Sequence, residues 1–524
     1  MHQPYYLDPV SGDYQLPWTY LHGIKDYTDM AAHLEAVDGA RAVVNFAPVL
    51  LDQLEDYAGQ IREHLKLGTP IGDPLLAQLD CPVPPAGNDE RLSLIRDCLR
   101  ANREHLVERF PAYHRLAKLA EWLDEDPAAM MYVDDQYVAD ILTWYHLAWM
   151  GETVRREDPR IRGLQDKGAG FTVEDRRFLL SIIGETLAGL ADRYRKLAQE
   201  GKVELSVTPY AHPIAPLLLD FGSARESLPD SHLPESPAYP GGEERVRWHI
   251  EAGLEVFERH FGFRPKGCWP AEGAVSRDSL RLLGEAGFAW AATGEGVLGH
   301  SLGKEYEKYG EEVANSLCHP YRVEGTDIAC LFRDDELSDL IGFQYSDWHG
   351  DDAVSNLVHR LEEIHENTAD HPDPVVPIIL DGENAWEHYP ENGFHFLRGL
   401  YSRLAEHPDL ELTTFSACLE EGGAVNSLPN LVAGSWVYGT LSTWIGDKDK
   451  NRGWDMLVEA KETFDRVVAK GGLDEEALAA ARHQLAICEG SDWFWWFGDY
   501  NPADVVRDFE RLYRLHLSRL FRLL

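Results

Sequence analysis

The amino-acid sequence predicts a mainly parallel α/β fold with a helical C-terminal end. Three observations lead to this prediction. Short apolar runs alternate with long amphipathic segments along the chain, which is typical of parallel sheets flanked by helices. Polar and aromatic residues follow directly after several apolar runs, where parallel α/β folds place their functional sites. From Trp454 onward the pattern is helical throughout.

The predicted strands are short apolar runs bounded by glycine, proline or polar residues. The first run, AVVNFAPVLL within residues 41–54, forms a strand and then opens a helix. The run VVPIIL at 375–380 is apolar throughout, which predicts a strand covered on both faces. The other predicted strands are 203–209, a strand end at 267–270, 288–292, 328–332 and 410–414.

The predicted helices carry apolar residues at three- and four-residue spacing. Gly201 is the expected C-cap of one of them, and a stretch rich in proline, serine and glycine at 223–242 predicts a loop. The predicted helices span 92–120, 134–156, 176–201, 243–261, 276–286, 351–367, 393–405 and most of the chain after 454.

Composition bounds the class of protein. With 524 residues, 44% of them hydrophobic, the chain can bury a large core without disulfide or metal staples. The seven cysteines are scattered and form no C-x-x-C pair, which predicts free thiols in a reducing compartment. Met1 is followed by no basic or apolar leader, so we expect a cytoplasmic protein.

Charge and hydropathy argue against two classes of partner. There are 49 basic and 89 acidic side chains, a formal net charge of −40, and binding to nucleic acid needs clustered lysine and arginine. No apolar run reaches the roughly 20 residues that span a bilayer. We therefore expect neither a nucleic-acid nor a membrane partner.

Glu272 is the first candidate catalytic residue. It stands in the sequence Cys-Trp-Pro-Ala-Glu-Gly at 268–273, where a predicted strand turns into a helix. Trp269 precedes it closely, so the carboxylate stands beside an aromatic side chain and is flanked by proline and glycine. The alternative is that Glu272 merely caps the following helix, which opens at Ser276.

Asp381 is the second candidate, because it is the first residue after the apolar VVPIIL run. The chain then continues Gly-Glu-Asn-Ala-Trp-Glu-His-Tyr to 389, with two more carboxylates and Trp386. An ordinary polar loop is the alternative. Two His-Pro motifs, around His2 and His212, place further polar side chains next to aromatics; each histidine could equally be structural.

Two carboxylates on different strand ends, surrounded by tryptophan, tyrosine and histidine, suit glycoside hydrolysis. One carboxylate attacks the anomeric carbon and the other protonates the leaving oxygen, while aromatic faces stack on sugar rings. The sequence contains no phosphate-binding G-x-x-x-x-G-K-[ST], no H-E-x-x-H zinc pair and no G-x-S-x-G elbow. The Trp-Phe-Trp-Trp-Phe cluster at 493–497 could be a sugar platform or core packing between helices.

Five ordered segments resemble the signature regions of glycoside hydrolase family 57, the family of amylases, amylopullulanases, 4-α-glucanotransferases and branching enzymes. They are His-Gln-Pro at 2–4, 204–220, Trp-Pro-Ala-Glu at 269–272, Asp-Gly-Glu-Asn-Ala-Trp-Glu at 381–387 and Ser-Thr-Trp-Ile-Gly at 442–446. The resemblance implies an incomplete (β/α)7 barrel with helical insertions, followed by a helical domain that closes the cleft. We expect the barrel over 1–425, with a helical insertion around 90–200, and the helical domain over 426–524.

The resemblance also implies roles for individual residues. Glu272 would be the nucleophile of a retaining mechanism and Asp381 the general acid/base, with no metal and no cofactor. The expected substrate-binding residues are His2, His212 and Trp269 around the sugar that is cleaved, with Trp386 and Trp444 as stacking surfaces. The expected substrate is an α-glucan such as starch, glycogen or maltodextrin, cleaved at α-1,4 and possibly α-1,6 bonds.

The start of the chain departs from the family pattern, in which an apolar strand precedes the His-Gln-Pro motif. Here the motif follows directly on Met1. We expect either that the protein starts further upstream or that the barrel lacks its first strand, which would leave the next strand with an open edge. The role of His2 and the cytoplasmic assignment both depend on this.

The residues of the Trp-Pro-Ala-Glu-Gly and Asp-Gly-Glu-Asn-Ala-Trp-Glu motifs most resemble those of the α-amylases and amylopullulanases in the family. Hydrolysis is therefore our main hypothesis. The alternative enzyme is a 4-α-glucanotransferase, since hydrolysis and transfer share one glycosyl-enzyme. A non-catalytic glucan-binding protein is a further class, and the presence of both carboxylates argues against it. A metal-dependent relative resembling α-mannosidases or deacetylases is disfavoured because no ligand constellation stands out.

Overall fold

A seven-stranded sheet forms the centre of the molecule. The computed structural model describes residues 1–303, 316–369, 373–420 and 425–524. The strands are β1 (Ala42–Phe46), β2 (Val203–Val207), β3 (Gly267–Cys268), β4 (Trp290–Gly294), β5 (Tyr321–Val323), β6 (Ala329–Arg333) and β7 (Asn426–Leu428). Within the described ranges their order is β1-β2-β3-β4-β6-β5-β7.

Most of the strand pairs are parallel. β1 to β4 pair in sequence order and β4 then pairs with β6, all in parallel. β5 runs antiparallel to β6 and parallel to β7. Parallel neighbours bring the carboxyl ends of the strands to one edge of the sheet, where the polar residues that follow them meet. The predicted α/β class is therefore confirmed.

Helices cover the sheet and form most of the remaining structure. The α-helices are Trp18–His22, Thr28–Ala36, Pro48–Leu67, Pro74–Leu79, Asn88–Asp97, Pro111–Glu125, Asp135–Trp149, Glu152–Glu157, Pro159–Lys167, Val173–Gln199, Ala215–Leu219, Ala224–Ser227, Gly242–Phe261, Arg277–Glu285, Glu295–Leu302, Asp335–Asp339, Gly350–Asn367, Phe394–Ala405, Phe415–Glu420, Lys448–Lys470, Glu475–Cys488, Ser491–Trp496 and Ala503–Leu523. Shorter 3₁₀ and π turns lie at Gly23–Tyr27, Arg103–Glu108, Pro127–Tyr132, Phe221–Ser223, Ala271–Gly273, Leu340–Gln344, Tyr345–Asp347, Trp386–His388 and Pro390–Gly393.

Local signals explain where several helices begin and end. Thr172 and Asp175 form a capping box at the start of Val173–Gln199, which satisfies two backbone N–H groups that the first turn leaves free. The chain leaves that helix through Gly201, whose φ of 73° favours glycine. Ser276 caps Arg277–Glu285 through the backbone N–H of Ser279, as its position before an apolar pattern predicts.

Two predicted long helices are divided in the structure. The region 92–120 contains three helical segments, because Asn102 caps a new turn through the N–H of His105 and Pro111 opens the next helix. Proline has no backbone N–H, so it is accepted at the first position of a helix but interrupts its interior. The region 134–156 is interrupted at Gly151, which precedes Glu152–Glu157.

The predicted strand at 375–380 is wrong, and so is the one at 410–414: neither segment belongs to a strand. Pro377 cannot donate to a ladder, and the backbone around it makes separate contacts instead. The N–H of Val375 donates to the carbonyl of Cys318, and the N–H of Asp334 donates to the carbonyl of Pro377. The segment is partly exposed, since one side of it faces a cavity.

The sheet also contains two strands that the sequence analysis missed, β5 and β7. Both are three residues long, too short for an apolar period to show. β7 starts at Asn426, where we expected the helical C-terminal domain to begin. None of the helices in the described ranges combines the length and the apolar content needed to cross a membrane.

Candidate active site

A cavity of about 1330 Å³ extends along the central strands and includes the turns and segments that carry the predicted site residues. Its wall includes Asn45 of β1, Ser206 of β2, Ala292 of β4 and the segment that leads to Asp381. The predicted site residues that line it are His2, His212, Trp269, Glu272, Asp381 and Trp386. The fold therefore brings together six side chains that are far apart in the sequence.

Glu272 projects into this cavity from the turn that follows β3. Its backbone has a φ of 56° and a ψ of 26°, a left-handed conformation that costs free energy for a residue with a side chain. The turn is held by the hydroxyl of Thr293, which donates to the carbonyl of Gly273 at 2.5 Å. The side chain is 16% exposed, so it reaches the cavity without being free to move widely.

Trp436 contacts Glu272 twice. Its indole Nε1–H donates to Glu272 Oε2 at 3.0 Å, and its backbone N–H donates to the carbonyl of Glu272 at 3.3 Å. Its ring lies 5.3 Å from that of Trp269 in an edge-on arrangement. A donor aimed at a carboxylate favours the ionised form, which is the form a nucleophile needs.

Asp381 lies across the cavity, at the end of the extended segment. The amide of Asn384 donates to Asp381 Oδ2 at 2.7 Å. The aspartate is exposed to the interior of the cavity, although protein surrounds it on the other sides. It can therefore reach a bound molecule directly.

Glu383 fixes the start of the chain beside Asp381. Its Oε1 accepts from the backbone N–H of His2 at 3.1 Å and from the amide of Gln3 at 3.4 Å. The amino group of Met1 donates to the carbonyl of Asn45 at 2.7 Å, and the N–H of Ala47 donates back to Met1. The His-Gln-Pro segment is thus attached to the end of β1.

The side chains of His2 and His212 stack at the base of the cavity, with 3.6 Å between ring centroids and 11° between planes. His2 Nε2–H donates to Asp492 Oδ1 at 2.8 Å. His212 Nδ1 shares a hydrogen bond of 2.8 Å with the hydroxyl of Ser491 and lies 4.0 Å from Glu272 Oε1. Residues near the end of the chain therefore position both predicted histidines.

His2, His212 and Asp492 offer ligand atoms within 4.8 Å of one another, so we tested whether they suit a metal ion. The lone pairs of a histidine lie in the ring plane. In two nearly parallel stacked rings they point side by side and do not converge on a common ion. Asp492 is also engaged by His2 through both oxygens, at 2.8 and 3.0 Å. The arrangement is that of a hydrogen-bonded cluster.

The electrostatics of the two carboxylates are linked. Burial raises the pKa of Glu272 well above its ordinary value, and the charges of Asp381 and Asp492 raise it further, while the hydrogen bond from Trp436 acts in the opposite direction. Burial and the charge of Glu383 raise the pKa of Asp381. Like charges that share a low-dielectric site favour a state with one proton between them.

Burial lowers the pKa of His212 well below its ordinary value, and the neighbouring charge of His2 contributes in the same direction. The ring is therefore neutral near pH 7 and can accept or donate one hydrogen bond without adding charge. A second observation concerns His2, whose Nδ1 is buried and has no hydrogen-bond partner among the described residues. A polar group of a bound molecule could satisfy this atom.

Trp444 does not reach the cavity, which corrects our expectation that it is a stacking surface. It is 0% exposed and packs with its ring 5.8 Å from that of Trp495. Trp386 lines the cavity but is 2% exposed, and its Nε1–H donates to the carbonyl of Gly382 at 3.1 Å. It supports the loop that carries Asp381 more than it offers a free ring face.

The structure adds site residues that the sequence analysis did not identify: Trp436, Glu383, Asp492, Trp495 and Trp496. Asp492, Trp495 and Trp496 belong to the helix Ser491–Trp496. A carboxylate beside several tryptophans is a local sequence pattern from which these site residues could have been predicted. The cluster at 493–497 is divided between the core and the cavity wall. Trp493 and Phe494 are buried in the core, whereas Trp495 and Trp496 line the cavity.

Comparison with known proteins identifies what the chain is similar to. The family model described as Glycosyl hydrolase family 57 matches residues 1–426. A 1,4-α-glucan branching enzyme from Thermococcus kodakarensis is 21% identical over 368 residues, covering 57% of this chain and 51% of the relative. The chain thus spans about half the length of the curated relative it matches.

Solved structures of similar fold cover nearly all of the chain. A branching enzyme from Thermococcus kodakaraensis, solved with glucose, has a TM-score of 0.61 at 17% identity and covers 100% of this chain and 88% of the other. An α-amylase from Thermotoga maritima has a TM-score of 0.56 at 14% identity, covering 100% and 91%. These similarities confirm the predicted fold, an incomplete (β/α)7 barrel with a helical C-terminal region.

Proposed function

This chain belongs to glycosyl hydrolase family 57, and from that premise we propose that it is an enzyme that cleaves α-glucans through a covalent glycosyl-enzyme on Glu272. The observation that carries the proposal is that Glu272, in the turn after β3, and Asp381, after the extended segment 375–380, line one cavity with Trp269 and Trp436. Such a cavity offers two carboxylates to a glycosidic bond and indole rings to the sugar on either side of it.

In the proposed first step, a carboxylate oxygen of Glu272 attacks the anomeric carbon while the bond to the leaving oxygen breaks. Asp381 donates its proton to that oxygen, so the departing sugar leaves as a neutral alcohol. The shared proton of the pair suits this step, because one carboxyl must be ionised and the other protonated. The N–H of Trp436 supports the ionised form at Glu272.

In the second step, ionised Asp381 takes a proton from the incoming hydroxyl, whose oxygen attacks the anomeric carbon and releases Glu272. Water as the acceptor gives hydrolysis, and a sugar hydroxyl gives transfer. We propose that His2, His212 and Trp269 surround the sugar attached to Glu272. The unpartnered Nδ1 of His2 would bond one of its hydroxyls, since buried polar atoms are normally paired.

The test is a product profile on amylose, pullulan and maltotriose, comparing wild type with Glu272→Gln and Asp381→Asn. We expect each variant to lose about 10³-fold or more in kcat, as removal of a covalent or acid/base participant does. Asp278→Asn is the matched control, since this exposed carboxylate follows the same turn and should keep full activity. A loss below roughly tenfold in either catalytic variant would overturn the roles.

A second candidate is transfer that forms branches, favoured by the similarity to branching enzymes in both comparisons. It shares the first step and differs only in the acceptor. Amylose incubated with the protein and then treated with a debranching enzyme separates the two. New short chains released only after debranching would establish branch formation, whereas maltooligosaccharides released directly would establish hydrolysis. Longer products from maltotriose, without gain of reducing ends, would establish a 4-α-glucanotransferase.

A further inference from the structure

Arg333 is a buried arginine that contacts both Trp436 and the segment that leads to Asp381. It is the last residue of β6 and is 7% exposed. Nη1 donates to Asp335 Oδ1 and Nη2 donates to Asp339 Oδ1, both at 2.6 Å. Nε donates to the carbonyl of Ile379 at 2.8 Å. Each of the three guanidinium nitrogens therefore donates to an acceptor, and these acceptors lie around the edge of the planar group.

Because its edge is occupied, the guanidinium offers its face to Trp436. The carbon Cζ lies 5.3 Å from the centroid of the indole, within the distance at which a cation is attracted to an aromatic face. The same indole donates a hydrogen bond to Glu272 Oε2. Arg333 thus supports, through one intermediate side chain, the donor that bonds the proposed nucleophile.

The hydrogen bond to Ile379 connects Arg333 to the segment that carries Asp381. Ile379 stands two positions before Asp381 in a segment that has no ladder to hold it. The segment is instead fixed by separate hydrogen bonds: the N–H of Asp334 donates to the carbonyl of Pro377, and the N–H of Ile379 donates to the hydroxyl oxygen of Ser338 at 3.1 Å. Among the hydrogen bonds that the described residues make to 375–380, Arg333 supplies the cationic side-chain donor.

From these contacts we infer that Arg333 is a positioning residue that sets the geometry of Glu272 and Asp381 together, by holding Trp436 with its face and the Ile379 carbonyl with its edge. The inference rests on the proposed function of the two carboxylates. Lysine could not replace it, because one ammonium cannot hold three acceptors along an edge and also present a planar face to an indole.

The experiment compares Arg333→Lys and Arg333→Met with wild type on an aryl maltooligosaccharide that carries an activated leaving group. Such a substrate needs little help from the acid, so its rate reports on the nucleophile. We expect kcat to fall about 10²-fold in both variants with little change in KM, since a displacement near 1 Å has that effect. Arg322→Met, an exposed arginine on the neighbouring β5, is the control and should behave as wild type.

Two further readouts separate positioning from a general loss of structure. The pH midpoint of the Trp436 fluorescence signal, obtained by subtracting the spectrum of Trp436→Phe, should move to higher pH in Arg333→Met. A weakened N–H bond stabilises ionised Glu272 less, and the pKa of that carboxyl then rises. In activity, Arg333→Met and Trp436→Phe should be non-additive, because the first acts through the second.

A kcat close to that of wild type in Arg333→Lys, or an unchanged fluorescence midpoint in Arg333→Met, would overturn the inference. If Arg333→Met does not fold, the paired change Asp335→Asn with Asp339→Asn keeps the arginine and frees its edge, and should produce the same shift in smaller size. If wild type acts on no α-glucan, the proposed function fails, while the fluorescence midpoint still tests Arg333.

Discussion

At the scale of single residues, the site depends on how one carboxylate affects another. Glu272 and Asp381 are each buried enough for their pKa values to rise. Each also accepts an N–H hydrogen bond, Glu272 from the indole of Trp436 and Asp381 from the amide of Asn384. The charge of Asp381 acts on Glu272 as well, so the protonation of one carboxyl affects the other.

This coupling predicts a pH shift in Asp381→Asn. The negative charge of Asp381 raises the pKa of Glu272, so its removal lowers that pKa. With an activated aryl maltooligosaccharide, whose cleavage needs little acid assistance, the acidic limb of kcat/KM should move to lower pH. Asp278→Asn is the control and should leave the limb in place. A limb that moves to higher pH would contradict the coupling.

Some residues of the site could be predicted from the sequence because the residues next to them form a recognisable pattern. Glu272 and Asp381 each follow an apolar run and stand beside tryptophan, and both line the cavity. Trp436 could not be predicted in the same way, because nothing near it in the sequence shows that its indole bonds Glu272. That contact depends on how the folded chain places residue 436 next to the turn after β3.

At the scale of elements, a buried ion pair joins the barrel to the C-terminal helices. Arg245, in the helix Gly242–Phe261, donates to Glu489 at the end of Glu475–Cys488, with Nη2 to Oε2 at 2.8 Å. His249 and Tyr239 also bond the same carboxylate. Burial alone raises the pKa of Glu489, but the charge of Arg245 and the bond from His249 outweigh it and lower that pKa to about 2.

We expect Glu489→Gln to lower the free energy of unfolding by about 3–5 kcal/mol, because Arg245 is left as an uncompensated buried charge. The pKa of Glu489 is lower in the folded chain than in the unfolded one, so the stabilisation is present above the unfolded value and is lost as pH falls towards about 2. Urea denaturation at pH 7 and pH 3 measures both effects. Glu475→Gln, an exposed residue of the same helix, is the control. Equal stability of Glu489→Gln and wild type would contradict the prediction.

The elements also show where apolar runs mislead. The run at 375–380 has the composition of a buried strand, yet the structure gives it no ladder. Pro377 removes one donor, and the neighbouring polar side chains Arg333 and Ser338 take the places of backbone partners. Hydropathy predicts that a segment packs against apolar surface, but it does not predict which groups form hydrogen bonds with the backbone N–H and carbonyl groups of that segment.

At the scale of the whole molecule, acidic residues outnumber basic ones, with 89 against 49. Several ion pairs, such as Arg96 with Asp124, join two exposed side chains and contribute little each. The unpaired excess repels itself and opposes the compact state. The proposed substrate is a neutral sugar polymer, so we do not expect this charge to take part in its binding.

Salt should therefore raise stability. Between about 0.01 M and 0.5 M sodium chloride, where the screening length falls from roughly 30 Å to a few ångströms, the urea midpoint is expected to increase. The kcat on a neutral maltooligosaccharide should change little over the same range. A midpoint that falls with added salt would show that the exposed ion pairs outweigh the net repulsion.

The sequence by itself determined the α/β class and the family, and it predicted Glu272 and Asp381 as the catalytic pair, because alternating hydropathy, capping residues and short motifs act over a few neighbouring positions. Only the tertiary structure decided that Trp444 is core, that Trp436, Glu383 and Asp492 line the cavity, and that Arg333 contacts both Trp436 and the carbonyl of Ile379. The hydrogen bonds of Trp436, Glu383 and Asp492 with Glu272 and His2 join residues that are far apart in the sequence. Local patterns carry no information about such pairs, since the pairs arise only when the chain closes on itself.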